Sequence, residues 1–432
     1  MNRHGRKISL GTCFMLVLTL LVMIGTTLVL IRLSHGNRIV TSDYDLSEKN
    51  ASSEQKGRIA SSQSRKNRQS GQGQSGPSVS TSEELNTISG GGGRFTLTVA
   101  GTVAVEDEIL TRSYLSDIKT YDISDIMSLI RSDVSSDVNI VFVENILMDN
   151  ARAKNIIAPS DVAGMLKNAG FNIAACGFSG AWNKKEEGII QTRKNFSESG
   201  ITPVGIYEPG EGHTVQIANY GGIHTAILQY TGSISKNDRN KMKSANQSDT
   251  VPQADATEIA EDIAAARKQG ADLVIILMNW GSKGKAPDKS QKQLAQQIAD
   301  AGADMIIGSG SRTPQQAEYL TSIRPDGSQA KVLCIWSLGV TLSQERKNNK
   351  QMAGYLFHAE IVMDSSMTIS VSDISYTPLY TWLYKQDGRY YYRCLAGNRT
   401  LPDGMEIEQQ NKLAHVVDVT REALKDSPLI ER

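Results

Sequence analysis

The sequence predicts a mixed α/β sandwich of packed layers, and two patterns carry this prediction. Residues 273–278 and 305–307 are apolar runs of strand length, and an amphipathic helix at 289–301 separates them. This β-α-β order indicates neighbouring parallel strands in a sheet with covered faces. Elsewhere, predicted strands first alternate with helices and later follow one another directly, which is typical of a mixed sheet architecture.

The remaining elements follow from local patterning along the chain. Strands are predicted at 95–102, 138–143, 171–176, 202–206, 215–219, 224–230, 331–336, 354–363, 368–376 and 390–393. Helices are predicted at 121–130, 159–169, 188–199, 257–269 and 409–424, with a polar insertion at 233–255. Ligands of open α/β sheets bind at the carboxyl ends of strands, so the loops 279–282 and 308–312 are predicted to line a site.

Composition restricts the function. The chain has 432 residues and 46 basic against 46 acidic side chains, which argues against a nucleic-acid partner. The four cysteines have no metal-binding spacing, and no disulfide is expected. Cys176 and Cys334 fall in apolar strands as small hydrophobes, whereas Cys394 is predicted to be the one free to react.

The N-terminus has the pattern of a membrane anchor. Basic residues at positions 3, 6 and 7 precede an apolar run at 8–31 that is long enough to cross a bilayer, which places residues 1–7 in the cytoplasm. A cleaved signal peptide is the alternative, but its apolar core would be shorter and would end in a small-x-small site. Residues 32–93 are rich in Ser, Gly and Gln, and they predict a flexible tether. A domain at 94–380 and a C-terminal extension packed on it, at 381–432, follow at the outer face of the cell membrane.

Several segments, in order and with preserved spacing, resemble the CapA family of capsule synthesis proteins, which is associated with poly-γ-glutamate. The matching segments lie at 97–101, 143–145, 166–171, 187–192, 200–205, 280–281, 291–295, 301–308, 315 and 337–339. The resemblance implies a four-layer α-β-β-α sandwich of the calcineurin-like metallophosphoesterase type. It also implies a membrane setting, with an anionic envelope polymer or capsule-synthesis membrane proteins as partners.

The chain departs from this family at the polar positions expected to hold metal. Thr102 stands where the family usually has Asp, and Asn279 stands where it has the His of His-Trp-Gly. Ser309, Ser311 and Arg312 replace its Gly-His-x-Pro-His residues, and residues 178–180 with Asn183 replace Asn-Asn-His and Asp. Glu144 alone is retained. The candidate site, interpreted as a vestigial groove, comprises Thr102, Glu144, Asn145, Ser179, Asn183, Asn279, Trp280, Ser309, Ser311 and Arg312.

Two-metal hydrolysis needs several carboxylate and imidazole ligands around paired ions, and hydroxyl or amide groups replace them poorly. We therefore expect no divalent metal cofactor and no catalytic residue. None of the six histidines falls on a motif position; they are His4, His35, His213, His224, His358 and His415. His213 is the one candidate for a stray ligand, whereas His224 and His358 are expected on a solvent face or satisfied in the core.

Three interpretations of these positions remain open. The small polar residues could fill an inert groove, in which Glu144 pairs with Arg312 and Trp280 packs beneath. Alternatively, the Arg312 fork and the backbone of 308–310 would bind an anion without metal. A covalent serine hydrolase is disfavoured, because no Gly-x-Ser-x-Gly elbow and no placed histidine base are present.

The functional hypotheses follow from these interpretations. The first is a non-catalytic, membrane-anchored protein that acts in capsule or envelope-polymer assembly by binding. The second is a metal-dependent phosphoesterase-like hydrolase with a rearranged site. The third is an interaction module that binds its partner through the tyrosine-rich segment 376–392.

Overall fold

A computed structural model describes residues 92–148, 155–232 and 234–432, all within the compact unit Tyr44–Arg432. The predicted anchor at 8–31 and nearly all of the predicted tether lie outside the described residues. Within the described ranges, no helix has the length and apolar character that crossing a membrane requires.

The strands and helices of these ranges form one mixed α/β architecture. The strands are β1 (Gly93–Val103), β2 (Tyr114–Leu115), β3 (Thr120–Tyr121), β4 (Val138–Val143), β5 (Ile146–Leu147), β6 (Ile157–Ala158), β7 (Ile173–Ala175), β8 (Thr202–Val204), β9 (Ile217–Tyr220), β10 (Ile223–Thr231), β11 (Leu273–Asn279), β12 (Met305–Ser309), β13 (Ala317–Ile323), β14 (Gln329–Ile335), β15 (Val340–Leu342), β16 (Gly354–Met363), β17 (Ile369–Gln386), β18 (Arg389–Ala396) and β19 (Ile430–Glu431). The helices are α1 (Asp107–Ser113), α2 (Asp161–Asn168), α3 (Lys185–Glu198), α4 (Lys236–Ser244), α5 (Ala256–Lys268), α6 (Lys289–Asp300) and α7 (Ile407–Leu424). The predicted mixed α/β class is confirmed.

Two large sheets organise these elements. The nine-stranded sheet has the order β18-β17-β16-β1-β4-β7-β8, with β15 beside β1 and β19 beside β17. The six-stranded sheet has the order β13-β14-β12-β11-β10-β9. The predicted β-α-β unit is confirmed, because β11 and β12 are parallel neighbours and their last residues, Asn279 and Ser309, lie in register. The two loops predicted to line a site therefore leave the same edge of one sheet.

Alternating side chains on the buried strands determine the layer order. On β11, Leu273, Ile275 and Leu277 face the nine-stranded sheet and pack against Phe95 and Ile140. The intervening side chains of β11 pack against α5 and α6 instead, through residues that include Val274, Ile276, Ile259 and Ile298. The opposite face of the nine-stranded sheet packs against α2 and α3, and α7 covers β17 and β18. Because a buried strand presents successive side chains to opposite faces, the two sheets stack face to face with helices outside both.

Three local predictions differ from the structure. Residues 121–130 are not an α-helix; β3 ends at Tyr121 and a 3-10 helix follows at Ser128–Asp133. The apolar residues there have helical spacing, but Ile126 accepts a backbone hydrogen bond from Cys394 on β18, a long-range contact that overrides local preference. The polar insertion contains helix α4, in which only Met242 is buried, so it lacks an apolar stripe. β13 was not predicted, because only two of the seven residues of this edge strand are buried.

The C-terminal residues belong to the large sheet itself. β17 runs across position 380, and β18 pairs with it over its full length. Tyr376, Tyr380 and Tyr392 are buried, whereas Tyr390 is 42% exposed. Most of the tyrosine-rich segment therefore completes the sheet and its packing against α7.

His358 on β16 is a satisfied core residue. Its Nδ1 lies 3.0 Å from Thr98 Oγ1 on β1, and its Nε2 lies 3.0 Å from Thr377 Oγ1 on β17. Burial lowers the pKa of this imidazole to about 4, and Arg432 and Arg399 contribute to the shift. His358 is therefore neutral in the folded protein near pH 7.

This shift predicts acid sensitivity. The His358 imidazole is protonated near pH 6.5 in the unfolded chain but only near pH 4 in the folded protein. Neutral His358 therefore makes its full contribution to the free energy of unfolding above pH 6.5. This contribution, roughly 3 kcal/mol, is lost as the pH falls to about 4. Urea unfolding at both pH values should show that His358→Gln removes this part of the pH dependence and that His224→Gln retains it. Equal pH dependence in the wild type and His358→Gln would contradict the assignment.

Candidate functional site

The candidate site lies where strands of both sheets end. Thr102 is near the end of β1, Glu144 directly follows β4, and Asn279 and Ser309 are the last residues of β11 and β12. Arg312 lies in the loop that follows β12. Because the sheets stack face to face, side chains from these two strand edges meet in one buried cluster.

A buried ion pair forms the centre of the cluster. Arg312 donates from Nε (2.9 Å) and Nη2 (2.7 Å) to Glu144 Oε2. Its Nη1 donates to Glu106 Oε1 at 2.7 Å, and the other Glu106 oxygen accepts the backbone N–H of Gln344. One guanidinium is thus held between two carboxylates, an arrangement that uses its donors in charge-assisted hydrogen bonds.

The position of Arg312 keeps it charged. The side chain is 15% exposed, and the Glu144 side chain is 11% exposed. Burial acts to lower the pKa of the guanidinium, but Glu144 and Glu106 outweigh it and raise the pKa above its ordinary value. Arg312 also has a left-handed backbone, with φ of +53°. That conformation is unfavourable for a side chain with Cβ by about 1–2 kcal/mol, which its two ion pairs must offset.

Neutral groups hold the second Glu144 oxygen. Glu144 Oε1 accepts from Asn279 Nδ2 at 3.3 Å and from Thr102 Oγ1 at 3.4 Å. Thr102 Oγ1 lies 3.0 Å from Ser309 Oγ. The structure therefore brings together five of the candidate residues: Thr102, Glu144, Asn279, Ser309 and Arg312.

The next three candidate residues make structural contacts around this cluster. Asn145 bonds both backbone groups of Val105, at 2.8 and 3.0 Å. Ser311 Oγ donates to Ser337 Oγ at 3.0 Å. Trp280 donates from Nε1 to the Trp336 carbonyl at 3.0 Å and stacks on that indole with 5.6 Å between ring centroids.

Ser179 and Asn183 are not brought to the cluster. Both residues are exposed, in the segment between β7 and α3. Across the described ranges, no side-chain hydrogen bond connects either residue to Glu144 or Arg312. Glu106 takes part instead, although the sequence analysis did not select it. The one sequence feature that could have identified Glu106 is its position just beyond the end of β1.

The anion-binding interpretation loses its main donor. Glu144 and Glu106 already occupy the Arg312 fork. The backbone of Gly308 and Ser309 lies in the β12 ladder, where the Ser309 carbonyl accepts the Trp280 N–H and Gly308 accepts that of Leu338. The contacts agree with the alternative in which Glu144 and Arg312 form a structural ion pair.

The donor set does not fit a two-metal centre. Within the described part of the chain, no group of three or more His, Cys, Asp or Glu side chains is placed to hold a metal ion. The groups around Glu144 are hydroxyls, an amide and a guanidinium, and the last is a cation that already neutralises the carboxylate. A metal bound at Glu144 would have to displace Arg312 from this carboxylate and would place a second cation beside the guanidinium, which only Glu106 would then pair with.

His213, His224 and Cys394 lie outside the cluster. His213 Nδ1 lies 2.9 Å from Asp262 Oδ2, and its ring packs edge-on against Tyr207 and Tyr230. His224 is exposed and pairs with Asp272 at 3.1 Å. The prediction that Cys394 is reactive is wrong. It is buried, and burial raises the pKa of its thiol to about 12.

Solved structures that the chain is similar to have low TM-scores. A hypothetical protein from Thermus thermophilus is 15% identical, with 69% of this chain and 99% of that chain covered and a TM-score of 0.37. The NAD nucleotidase NadN of Haemophilus influenzae is 12% identical, with 78% and 64% covered and a TM-score of 0.40. The calcineurin-like phosphoesterase YfkN of Bacillus subtilis is 10% identical, with 77% and 97% covered and a TM-score of 0.34.

Sequence comparison is more specific. The chain is 27% identical over 161 residues to the capsule biosynthesis protein CapA of Bacillus anthracis. That alignment spans 36% of this chain and 38% of the relative. The family model "Bacterial capsule synthesis protein PGA_cap" matches residues 96–345, which is more than half of the chain and includes every residue of the buried cluster. The chain therefore belongs to the PGA_cap family of bacterial capsule synthesis proteins.

Proposed function

We propose that this protein acts in the assembly of a capsule or another envelope polymer by binding, without catalysing a reaction. The Glu144–Arg312 ion pair is the observation that supports this proposal most strongly. Family membership supplies the capsule context. The apolar run at 8–31 supports a single-pass anchor, with the domain outside the cell and the N-terminus in the cytoplasm.

The chemistry of the cluster supports a binding role over hydrolysis. A hydrolase needs an activated water or a nucleophile next to a base, and metal ions or histidine commonly provide that activation. Ser309 is fully buried, and its hydroxyl contacts Thr102 rather than an imidazole. The two carboxylates that could act as bases are both paired with Arg312.

The expected partners follow from the same setting. An anionic envelope polymer or membrane proteins of capsule synthesis are the partners we propose, in addition to the membrane itself. The equal numbers of acidic and basic side chains give no general attraction to nucleic acid. A rearranged metal-dependent phosphoesterase is the competing function, and metal content separates the two.

We expect substoichiometric Mn, Fe and Zn in the purified protein, measured by inductively coupled plasma mass spectrometry after incubation with each ion. The physical reason is that Arg312 already neutralises the only retained ligand position. The Glu144→Gln variant is the matched control, and its metal content and its hydrolysis of a phosphodiester substrate should equal those of the wild type. Stoichiometric metal that disappears in Glu144→Gln would show that the site is a rearranged metal centre.

A further inference from the structure

Strand β13 forms one edge of the six-stranded sheet and, among the strands that the structure describes, pairs only with β14. Two of its apolar side chains are exposed, Tyr319 by 42% and Ile323 by 63%. Edge strands are commonly protected by a proline, a bulge or a charged side chain that blocks further pairing. β13 has no proline, its register with β14 is continuous, and its one charged side chain, Glu318, accepts the Trp336 indole N–H. The edge therefore lacks the usual protection against a further strand.

The hydrogen bonds of β13 show which backbone groups face outward. The Ala317 N–H donates to Ser427 Oγ at 2.9 Å, and the Ile323 N–H donates to Asp300 Oδ1 at 3.1 Å, so neither group bonds to β14. Hydrogen-bonded and non-hydrogen-bonded residues alternate along an antiparallel strand. The backbone groups of the odd-numbered residues, from 317 to 323, therefore point away from β14.

The middle of this outward edge has unpaired groups. Among the residues that the structure describes, the N–H and C=O of Tyr319 and the N–H of Thr321 have no hydrogen-bond partner. The Thr321 carbonyl accepts one bond, from Gln296 Nε2 at 3.0 Å, and a carbonyl oxygen can accept a second. Ser427 and Asp300 already bond to the two ends of the strand. A further strand would therefore pair with the centre of β13.

The groups at this centre are self-complementary. In an antiparallel pair of two β13 strands centred on Leu320, Tyr319 of each copy lies opposite Thr321 of the other copy. Each Tyr319 N–H can then donate to a Thr321 carbonyl, and each Thr321 N–H to a Tyr319 carbonyl, as in an ordinary antiparallel ladder. An aromatic side chain opposite a β-branched one is a favourable cross-strand pair. Residues 319–321 carry no charge, so the two-fold axis brings no like charges together.

We propose that β13 is a self-association edge, at which a second copy of this chain pairs its own β13 antiparallel about a two-fold axis at Leu320. The pairing joins the six-stranded sheets of both copies into one continuous sheet. Such a two-fold contact is closed, because the same patch serves both partners. The inference goes beyond the proposed function and does not depend on it, since β13 contributes no residue to the Glu144–Arg312 cluster.

Sedimentation equilibrium of the purified full-length chain in density-matched detergent tests the pairing. We expect the wild type to have twice the 47.0 kDa mass of one copy. Thr321→Pro removes an outward donor from each copy and leaves the β14 ladder intact, so it should self-associate at least about tenfold more weakly. Thr321→Val is the matched control, because it keeps both the N–H and a β-branched side chain, and it should remain dimeric.

Cysteine cross-linking tests the register without a proline. The two copies of Leu320 would face each other with about 4.5 Å between their Cα atoms, which is within the range of a disulfide. In a Cys13→Ser background the three remaining cysteines are buried. Leu320→Cys should then give a disulfide-linked dimer on oxidation. Lys331→Cys is the control, because this exposed position lies on β14, one strand further from the axis, and it should stay monomeric.

Three results would overturn the proposal. The first is a wild type with the mass of one copy. The second is equal self-association of the wild type and folded Thr321→Pro, which would place the contact elsewhere in the chain. The third is no more cross-linked dimer from Leu320→Cys than from Lys331→Cys, and this comparison decides the matter if Thr321→Pro does not fold. None of these results alters the metal measurement at Glu144, which tests the proposed function separately.

Discussion

The ion pair between Glu144 and Arg312 is the interaction on which the site depends. Glu144 follows a strand of the nine-stranded sheet, and Arg312 follows a strand of the six-stranded sheet. Their contact joins the functional edges of both sheets. Thr102 and Asn279 donate to the same Glu144 carboxylate, and Ser309 contacts Thr102. The polar side chains of the cluster are therefore arranged around the charge of Glu144.

This arrangement uses a permanent cation of the chain itself to pair with two acidic side chains that lie just beyond strand ends. A guanidinium does not lose its proton in proteins, so Arg312 cannot switch to a neutral form to admit another cation. Both neighbouring carboxylates are also bound to it. The polar residues at the strand edges therefore hydrogen-bond to one another.

Local sequence patterns predicted most of the fold, because buried strands and helices have apolar residues at a regular spacing. The apolar runs of β11 and β12 fixed a parallel pair, and their register brought Asn279 beside Ser309. Elements without such regularly spaced apolar residues were missed. Helix α4 buries a single apolar residue, and β13, at a sheet edge, buries only two of its seven residues.

The candidate site was predictable only in part, for a different reason. Strand ends identified Asn279, Ser309 and Arg312, and the resemblance to the CapA family identified Thr102 and Glu144. Glu106 was missed because its partner Arg312 is 206 positions away, and no local pattern reports such a pairing. Ser179 and Asn183 matched the family spacing, yet both are exposed and lie apart from the cluster.

A double-mutant cycle on the two central residues tests the account most directly. The free energy of unfolding would be measured in urea for the wild type, Glu144→Gln, Arg312→Met and the double variant. We expect a coupling free energy of about 2 kcal/mol or more, because Arg312→Met leaves the buried Glu144 carboxylate without its charged partner, whereas the double variant removes both charges. The exposed pair Lys425–Glu422 serves as the control, with a coupling below about 1 kcal/mol. Additive effects of the two substitutions at positions 144 and 312 would contradict the claim that this ion pair holds the site together.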